Sequence, residues 1–275
     1  MATTDIPGLV FTSHKFGPHS LQEVGVWESG EAKSSGYWAI FIHGGAWRDR
    51  SNTFRDFIPS IKHMIQDKDK SSSIRGFMSL DYRLSDGTET PPVQHPDHID
   101  DIAAGLSLLH EKYCLKDNYV LIGHSAGATL AFQLLMGVTS PQVTVSPPLP
   151  VAIIGISGIY DLVGINDRHD GNYAGFITSA FGSNQGDWQN ASPAKFTGDF
   201  HENWPGDRLT ILAHSQEDSL VDTPEADALQ AKLQRCKSPV HIVGNLRGEH
   251  DFVWQDGSQI AELVFDTLLK LPRIL

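Results

Sequence analysis

A serine between two glycines, near the middle of the chain, constrains the fold more than any other feature. Residues 119–122 form an apolar run of strand length, and apolar residues recur at helical spacing over 128–135. Between them the segment 123–127 reads GHSAG, a complete G-x-S-x-G. Gly123 and Gly127 let the backbone pass close to its neighbours while the serine projects above the sheet. Such a pattern also occurs in ordinary turns, but the flanking strand and helix favour a nucleophile.

Apolar runs alternate with helical patterns along the rest of the chain. From the third run onward each is nearly unbroken, as is typical of strands buried on both faces of a parallel sheet, whereas the first two alternate and predict an antiparallel edge. Strands are predicted at 9–13, 22–28, 37–43, 74–82, 119–123, 151–157, 209–214 and 240–245. Helices are predicted at 56–66, 98–113, 128–136, 224–236 and 258–269. The sequence therefore predicts an α/β fold, with a mostly parallel eight-stranded sheet between two helical layers.

Two insertions interrupt this alternation. The segment 141–150 is rich in proline and predicts a loop, and the segment 163–208 is too long for a simple connection. We interpret 163–208 as a small cap, in which only residues 173–181 have helical spacing and the rest is loop. No linker, repeat or charge block divides the chain, so residues 1–275 are predicted to form one domain.

The net charge and the cysteine content indicate which binding partners and which cellular compartment are compatible with this sequence. A net charge of −12 argues against nucleic acid and anionic membrane, because both attract basic surfaces. The first eight residues lack a basic and an apolar region, so we expect no secretory signal, and no apolar stretch reaches membrane-spanning length. Two cysteines, Cys114 and Cys236, suit reduced thiols in the cytoplasm.

A serine nucleophile needs a base and an acid, and their order along the chain is informative. In α/β-hydrolases the serine is followed by the carboxylate and then by the histidine, on loops at the carboxyl ends of strands. Asp218 follows the seventh predicted strand and His250 follows the eighth, so these are the predicted acid and base. Glu217 and Asp222 flank Asp218 and are rivals for the same role. Asp161, after the sixth strand, is the main alternative acid.

The oxyanion donors are predicted to come from the residue after the serine and from the loop after the third strand. That loop reads His43-Gly44-Gly45-Ala46-Trp47. Gly44 is needed for the bend, since successive glycines let backbone N–H groups turn inwards. The predicted donors are the amides of Gly45, Ala46 and Ala126.

These motifs together resemble the α/β-hydrolases related to hormone-sensitive lipase. The segments that carry the resemblance are 43–47 (HGGAW), 82–85 (YRLS), 123–129 (GHSAGAT), 159–162 (IYDL), 214–218 (HSQED) and 248–251 (GEHD). More narrowly the chain resembles the fungal kynurenine formamidases, through Asp49, Asn52-Thr53 and Asp56-Phe57 after HGGAW and through the run 251–254 after the histidine. The resemblance covers about 39–269 and weakens in the cap.

The resemblance implies hydrolysis of N-formyl-L-kynurenine to L-kynurenine and formate, a step of tryptophan degradation towards NAD. It implies Ser125 as nucleophile, Asp218 as acid and His250 as base. It implies no metal and no organic cofactor, and it suggests a homodimer.

Two other functions remain open from the sequence. A short-chain carboxylesterase would use the same machinery and differ only in its pocket, whereas a non-catalytic binding protein would require a broken triad. Trp47, Tyr160, Phe176 and Phe181 are candidates for an aromatic substrate pocket, although core packing explains each of them better when taken singly. The group that meets the substrate's carboxylate is not indicated by any motif.

Overall fold

The computed structural model describes residues 4–30, 35–140, 143, 146–272 and 274. Its eight strands form one sheet in the order β1-β2-β4-β3-β5-β6-β7-β8. They are β1 (Leu9–Lys15), β2 (Glu23–Ser29), β3 (Tyr37–Ile42), β4 (Ile74–Leu80), β5 (Tyr119–His124), β6 (Ala152–Ile156), β7 (Leu209–Ser215) and β8 (Val240–Leu246). The proline-rich segment 141–150 lies partly outside the described residues.

The sheet is antiparallel at one side and parallel elsewhere. Strand β2 pairs antiparallel with β1 and with β4, and every pairing from β4 through β3 to β8 is parallel. The predicted fold class and the predicted antiparallel edge are therefore confirmed. Because parallel strands share a direction, the loops after β3, β5, β7 and β8 all leave from the same edge of the sheet.

Ten α-helices are found among the described residues. They are α1 (Ile58–Gln66), α2 (Asp97–Tyr113), α3 (Ala126–Met136), α4 (Leu162–Arg168), α5 (Ala174–Phe181), α6 (Gln185–Ala191), α7 (Phe200–Asn203), α8 (Pro224–Arg235), α9 (Phe252–Asp256) and α10 (Ser258–Leu268). One core cluster joins α2, α3, α5 and α8 to one face of the sheet, and a second joins α1, α9 and α10 to the other face. Helix α3, behind the serine, is buried along its whole length.

The prediction that most of 163–208 is loop is wrong, because α4, α6 and α7 lie within or at the edge of this segment. These helices are only four to seven residues long, too short for a clear helical period in the sequence. Side-chain caps support their first turns: Asp161 caps α4, Asn184 caps α6 and Asp199 caps α7.

The prediction that β8 is buried on both faces is also wrong. Its residues before Leu246 are all half-buried or exposed, and Ile242 is 43% exposed. The reason is topological, since β8 lies at the edge of the sheet and, among the described strands, pairs with β7 alone. Strands β3, β5, β6 and β7 are fully buried, as predicted.

Candidate active site

Ser125 occupies a strained turn between β5 and α3. Its backbone has φ 52° and ψ −121°, in a region that non-glycine residues rarely adopt. A Cβ on Gly127 would lie 2.2 Å from the carbonyl oxygen of Ile42, so only glycine fits where this turn crosses β3. Ser125 lies at the N-terminus of the eleven-residue helix α3, whose dipole favours negative charge beside the hydroxyl.

His250 and Asp218 form a close pair at the same edge of the sheet. The Nδ1–H of His250 donates to Oδ2 of Asp218 over 2.8 Å. Oδ1 of Asp218 accepts from the backbone N–H groups of Leu220 and Val221, at 3.0 and 2.9 Å. Burial alone would raise the pKa of Asp218, but the hydrogen bond and charge of His250 outweigh burial and lower that pKa to about 2. The carboxylate is therefore ionised at neutral pH and holds the ring of His250 in one tautomer.

The rival carboxylates have other partners. Asp161 accepts from the N–H of Gly164 and forms an ion pair with Lys195 at 2.8 Å, so it acts as the cap of α4. Asp222 accepts from Nη2 of Arg168 at 2.9 Å. Glu217 accepts from the backbone N–H of Gly248 at 3.2 Å. Among the four candidate acids, Asp218 is the one that the structure brings to His250.

The loop after β3 turns through three successive residues with positive φ: Gly45 (92°), Ala46 (48°) and Trp47 (57°). The carbonyl of Gly45 accepts the N–H groups of Arg48 and Asp49, each at 2.9 Å, which closes the turn. This conformation directs the backbone of Gly45 and Ala46 to the cavity that also contains Ser125. Ala126, the third predicted donor, is the buried first residue of α3.

The side chains of Tyr82 and His43 hold this loop through hydrogen bonds and one ring contact. The hydroxyl of Tyr82 donates to the carbonyls of His43 and Gly44, at 3.2 and 3.0 Å. The ring of His43 stacks on Tyr82 with centroids 4.5 Å apart, and its Nδ1–H donates to the Gly44 carbonyl at 2.9 Å. Burial lowers the pKa of His43 to about 4, so this side chain is neutral and serves to hold the loop.

The side chain of Asn52 also supports the loop at 43–47. Nδ2 of Asn52 donates to the carboxyl of Asp56 at 2.8 Å, and Asn52 lines the cavity. Burial raises the pKa of Asp56 to about 7, even though the hydrogen bond from Asn52 opposes this. A Cβ on Gly45 would lie 2.8 Å from Oδ1 of Asn52, so the amide packs directly against the loop backbone.

His124, next to the serine, supports the histidine loop. Its Nε2–H donates to the backbone carbonyl of His250 over 3.0 Å, and the two rings lie 4.6 Å apart. Burial lowers the pKa of His124 well below its usual value, and the neighbouring His250 adds to that effect. A permanently neutral His124 therefore positions His250 without competing for its proton. His124, His250 and Asp251 also offer three possible metal-ligand atoms within 4.8 Å of one another.

The cavity beside Ser125 has a volume of about 320 Å³. Of the four aromatic residues predicted to form the pocket, Phe176 lines it, whereas Trp47, Tyr160 and Phe181 pack in the core. The prediction for those three residues is corrected accordingly. The ring of Trp47 packs behind Phe176, with centroids 6.3 Å apart, so it supports the wall from within.

Sequence reasoning missed most of the cavity lining. Besides Phe176 and Ser125, the wall includes residues that no prediction assigned to a pocket: Arg48, Asp49, Asn52, Ile159, Asn172, Tyr173, Leu220, Val221 and Asp251. The resemblance had marked Asp49, Asn52 and Asp251 as characteristic, which is a signal that they lie near the site. Ser157, buried after β6, helps to lower the pKa of Asp218 and had no signal in the sequence.

Comparison with known proteins identifies the family. Residues 26–233 match the family model described as BD-FAE. A kynurenine formamidase-like hydrolase, fscH, of Fusarium equiseti is 35% identical over 251 residues, which cover 83% of this chain and 82% of that protein. The kynurenine formamidase avaC of Aspergillus versicolor is 32% identical over 92% of this chain and 95% of that protein. The chain belongs to the kynurenine formamidase family.

Solved structures confirm the fold of this formamidase-family chain. Esterase B from Lactobacillus Rhamnosis matches with a TM-score of 0.72 over 96% of this chain and 87% of that one, at 18% identity. An esterase of Thermogutta terrifontis matches with a TM-score of 0.70, over 96% and 94% of the two chains, at 16% identity. Both likenesses concern the fold alone. Within the described residues, no helix combines the length and apolar character needed to cross a membrane.

Proposed function

We propose that the chain is a kynurenine formamidase that hydrolyses N-formyl-L-kynurenine to L-kynurenine and formate. The observation that carries this proposal is the 2.8 Å contact between His250 and Asp218, beside a cavity that also contains Ser125 on its strained turn. Relatives named kynurenine formamidase, at 31–35% identity over most of the chain, support the choice of substrate.

In the proposed mechanism, Ser125 is the nucleophile. Its Oγ attacks the formyl carbon while Nε2 of His250 accepts the hydroxyl proton, because Nδ1 is already bonded to Asp218. The imidazolium then protonates the aniline nitrogen, the C–N bond breaks, and L-kynurenine leaves a formyl ester on the serine. Water, deprotonated by His250, cleaves this ester, which gives formate and restores the serine hydroxyl.

The tetrahedral oxyanion would be stabilised by the backbone N–H groups of Gly45, Ala46 and Ala126. Preorganised amides cost no reorganisation when the charge develops, and each is worth about two to three decades in kcat. The bonds that Tyr82 and His43 make to the loop support this role, since they keep its backbone from relaxing.

We further propose that residues 163–208 act as a cap, because α5 within this segment supplies Phe176 to the cavity wall. A cytoplasmic location is supported by Cys114 and Cys236, which are free thiols. The homodimer that the family resemblance suggests stays a prediction.

We expect the enzyme to prefer formyl over longer acyl groups. The loop at 43–47 lies against Ser125, because a Cβ added to Gly44 would be 3.0 Å from Cβ of Ser125. This proximity leaves little room for the acyl group of a substrate. N-formyl-L-kynurenine should therefore exceed p-nitrophenyl acetate in kcat/KM, and N-acetylkynurenine should be a far poorer substrate. Formate release and ester hydrolysis measured with the same preparation provide the comparison.

The carboxylesterase alternative predicts the opposite trend. A pocket built for acyl chains gains about 0.8 kcal/mol per buried methylene, so kcat/KM would rise from acetyl to butyryl esters. That rise, together with no detectable formate from N-formyl-L-kynurenine, would replace the formamidase assignment.

We expect a chelator to leave activity unchanged. The three possible ligand residues, His124, His250 and Asp251, have other roles in the proposed mechanism, and both rings already make hydrogen bonds within the protein. Dialysis against EDTA, followed by measurement of kcat/KM in metal-free buffer, checks this. Activity that is lost on dialysis and restored by zinc would assign the chemistry to a metal-bound water instead.

A further inference from the structure

The cavity beside Ser125 has a specific charge pattern. Among its described lining residues, Arg48 is the one with an arginine or lysine side chain, and it is exposed at the mouth. The carboxylates of Asp49 and Asp251 line the same cavity. Tyr173 and Phe176 supply an aromatic wall between these charges and the interior. A cation, an anion and an aromatic surface thus meet within one small volume.

The guanidinium of Arg48 is available for a ligand. Its central carbon lies 5.7 Å from the ring centroid of Phe176, which orients the group over the cavity wall. In the part of the chain that the structure describes, no hydrogen bond or ion pair of this side chain to a carboxylate is found. Arg50, two residues further on, differs, since it pairs with Asp86 and donates to Oγ1 of Thr88 at 2.6 Å.

Hydrogen bonds fix the positions of the Asp49 and Asp251 carboxylates. Oδ1 of Asp251 accepts from Nε1 of Trp254 at 3.0 Å, and Oδ1 of Asp49 accepts from the N–H of Ser51 at 2.8 Å. Each carboxylate therefore has one oxygen in use, and among the described residues neither forms an ion pair with a lysine or an arginine. In a chain of net charge −12, an unpaired arginine in the same cavity as two such carboxylates creates a local field that suits a zwitterion rather than a simple anion.

We propose that Arg48 binds the α-carboxylate of the substrate, and is thus the residue that selects an amino acid over a neutral aryl amide. This inference rests on the proposed function. The planar guanidinium matches a carboxylate in a bidentate manner, with its face on Phe176 and its edge towards the ligand. The acidic side chains of Asp49 and Asp251 then face the α-ammonium, and the aryl ketone lies along Phe176 and Tyr173.

The test compares Arg48→Gln with the wild type on two substrates. For N-formyl-L-kynurenine, KM should rise about 10- to 100-fold with little change in kcat, because the contact is the same in the ground state and in the transition state. For N-formylkynuramine, which lacks the carboxylate, kcat/KM should be equal in the two proteins. Arg48→Lys keeps the charge but not the fork, so it should recover only part of the loss.

Arg50→Gln is the matched control, since Arg50 is exposed, lies two residues away, pairs with Asp86 and is not among the described residues that line the cavity. It should leave both substrates unaffected. An equal loss on both substrates in Arg48→Gln would show that Arg48 merely supports the loop, and no loss on either would remove it from the site. Both results overturn the proposal.

A binding measurement separates this inference from the proposed function. Calorimetry with L-kynurenine and kynuramine needs no turnover, and Arg48→Gln should weaken binding of L-kynurenine alone. Absence of formate release by the wild type would overturn the proposed function, whereas equal binding of L-kynurenine by wild type and variant would overturn the role of Arg48.

Discussion

We expect the Ser125→Ala variant to lose about five to six decades of kcat on N-formyl-L-kynurenine while keeping its fold. Alanine is as tolerant of φ 52° as serine is, so the change removes the hydroxyl and leaves the turn intact. Ser125 is 4% exposed, and the hydrophobic core around α3 is untouched. Single-turnover kinetics, with thermal unfolding as the measure of folding, checks both parts.

A buried serine elsewhere serves as the control. Ser60 lies on α1, is fully buried, and among the described residues its hydroxyl has no hydrogen-bond partner. Ser60→Ala should therefore keep full activity and lose little or no stability. A fluorophosphonate should label the wild type and Ser60→Ala but not Ser125→Ala. More than a few per cent of wild-type kcat in Ser125→Ala would show that the serine mechanism is wrong.

The Asp218→Asn variant should lose about four decades of kcat, since the acid both orients His250 and stabilises its imidazolium. An amide in this position can still accept from the N–H groups of Leu220 and Val221, so the loop keeps its shape. Its NH₂ group, however, would donate to Nδ1 of His250 and place the ring proton on Nε2. The ring then cannot accept the proton of Ser125. Pre-steady-state measurement of formate release gives the loss.

Asp161→Asn is the comparison that decides between the two acids. Asparagine can still cap α4 but loses the ion pair with Lys195, so this substitution should lower stability by at most about 1 kcal/mol and leave kcat nearly unchanged. If Asp161→Asn is the more damaging variant in kcat, the assignment of Asp218 fails.

Three features were predictable because each is a local property of the sequence. They are the position of the serine, the order of the apolar strand segments and the glycine loop at 43–47. A strand, a sharp turn and a helix are encoded within about fifteen neighbouring residues, and the flanking strand and helix distinguish this G-x-S-x-G from an ordinary turn. The short helices of 163–208 were not predictable, since α6 and α7 are stabilised by packing of Trp188 and Phe200 rather than by a long helical pattern.

The choice among carboxylates required the tertiary structure. Asp218 and Asp222 are four residues apart with similar surroundings in sequence, yet one meets His250 across the β7 and β8 loops while the other meets Arg168 across the cap. Sequence position places a side chain on a loop, but the contacts across neighbouring strands decide which partner it reaches.

The sequence by itself determined the α/β fold, the serine on its sharp turn and the histidine after the last strand, because periodicity and glycine pattern are written in consecutive residues. Only the tertiary structure decided which of the four candidate aromatic side chains lines the cavity. It also showed that Arg48 lines the same cavity. All four candidates are aromatic, but Phe176 lines the cavity and the other three are buried in the core: Trp47, Tyr160 and Phe181. Whether a side chain lines a cavity depends on helices folded over the sheet from distant parts of the chain, and no local pattern records that.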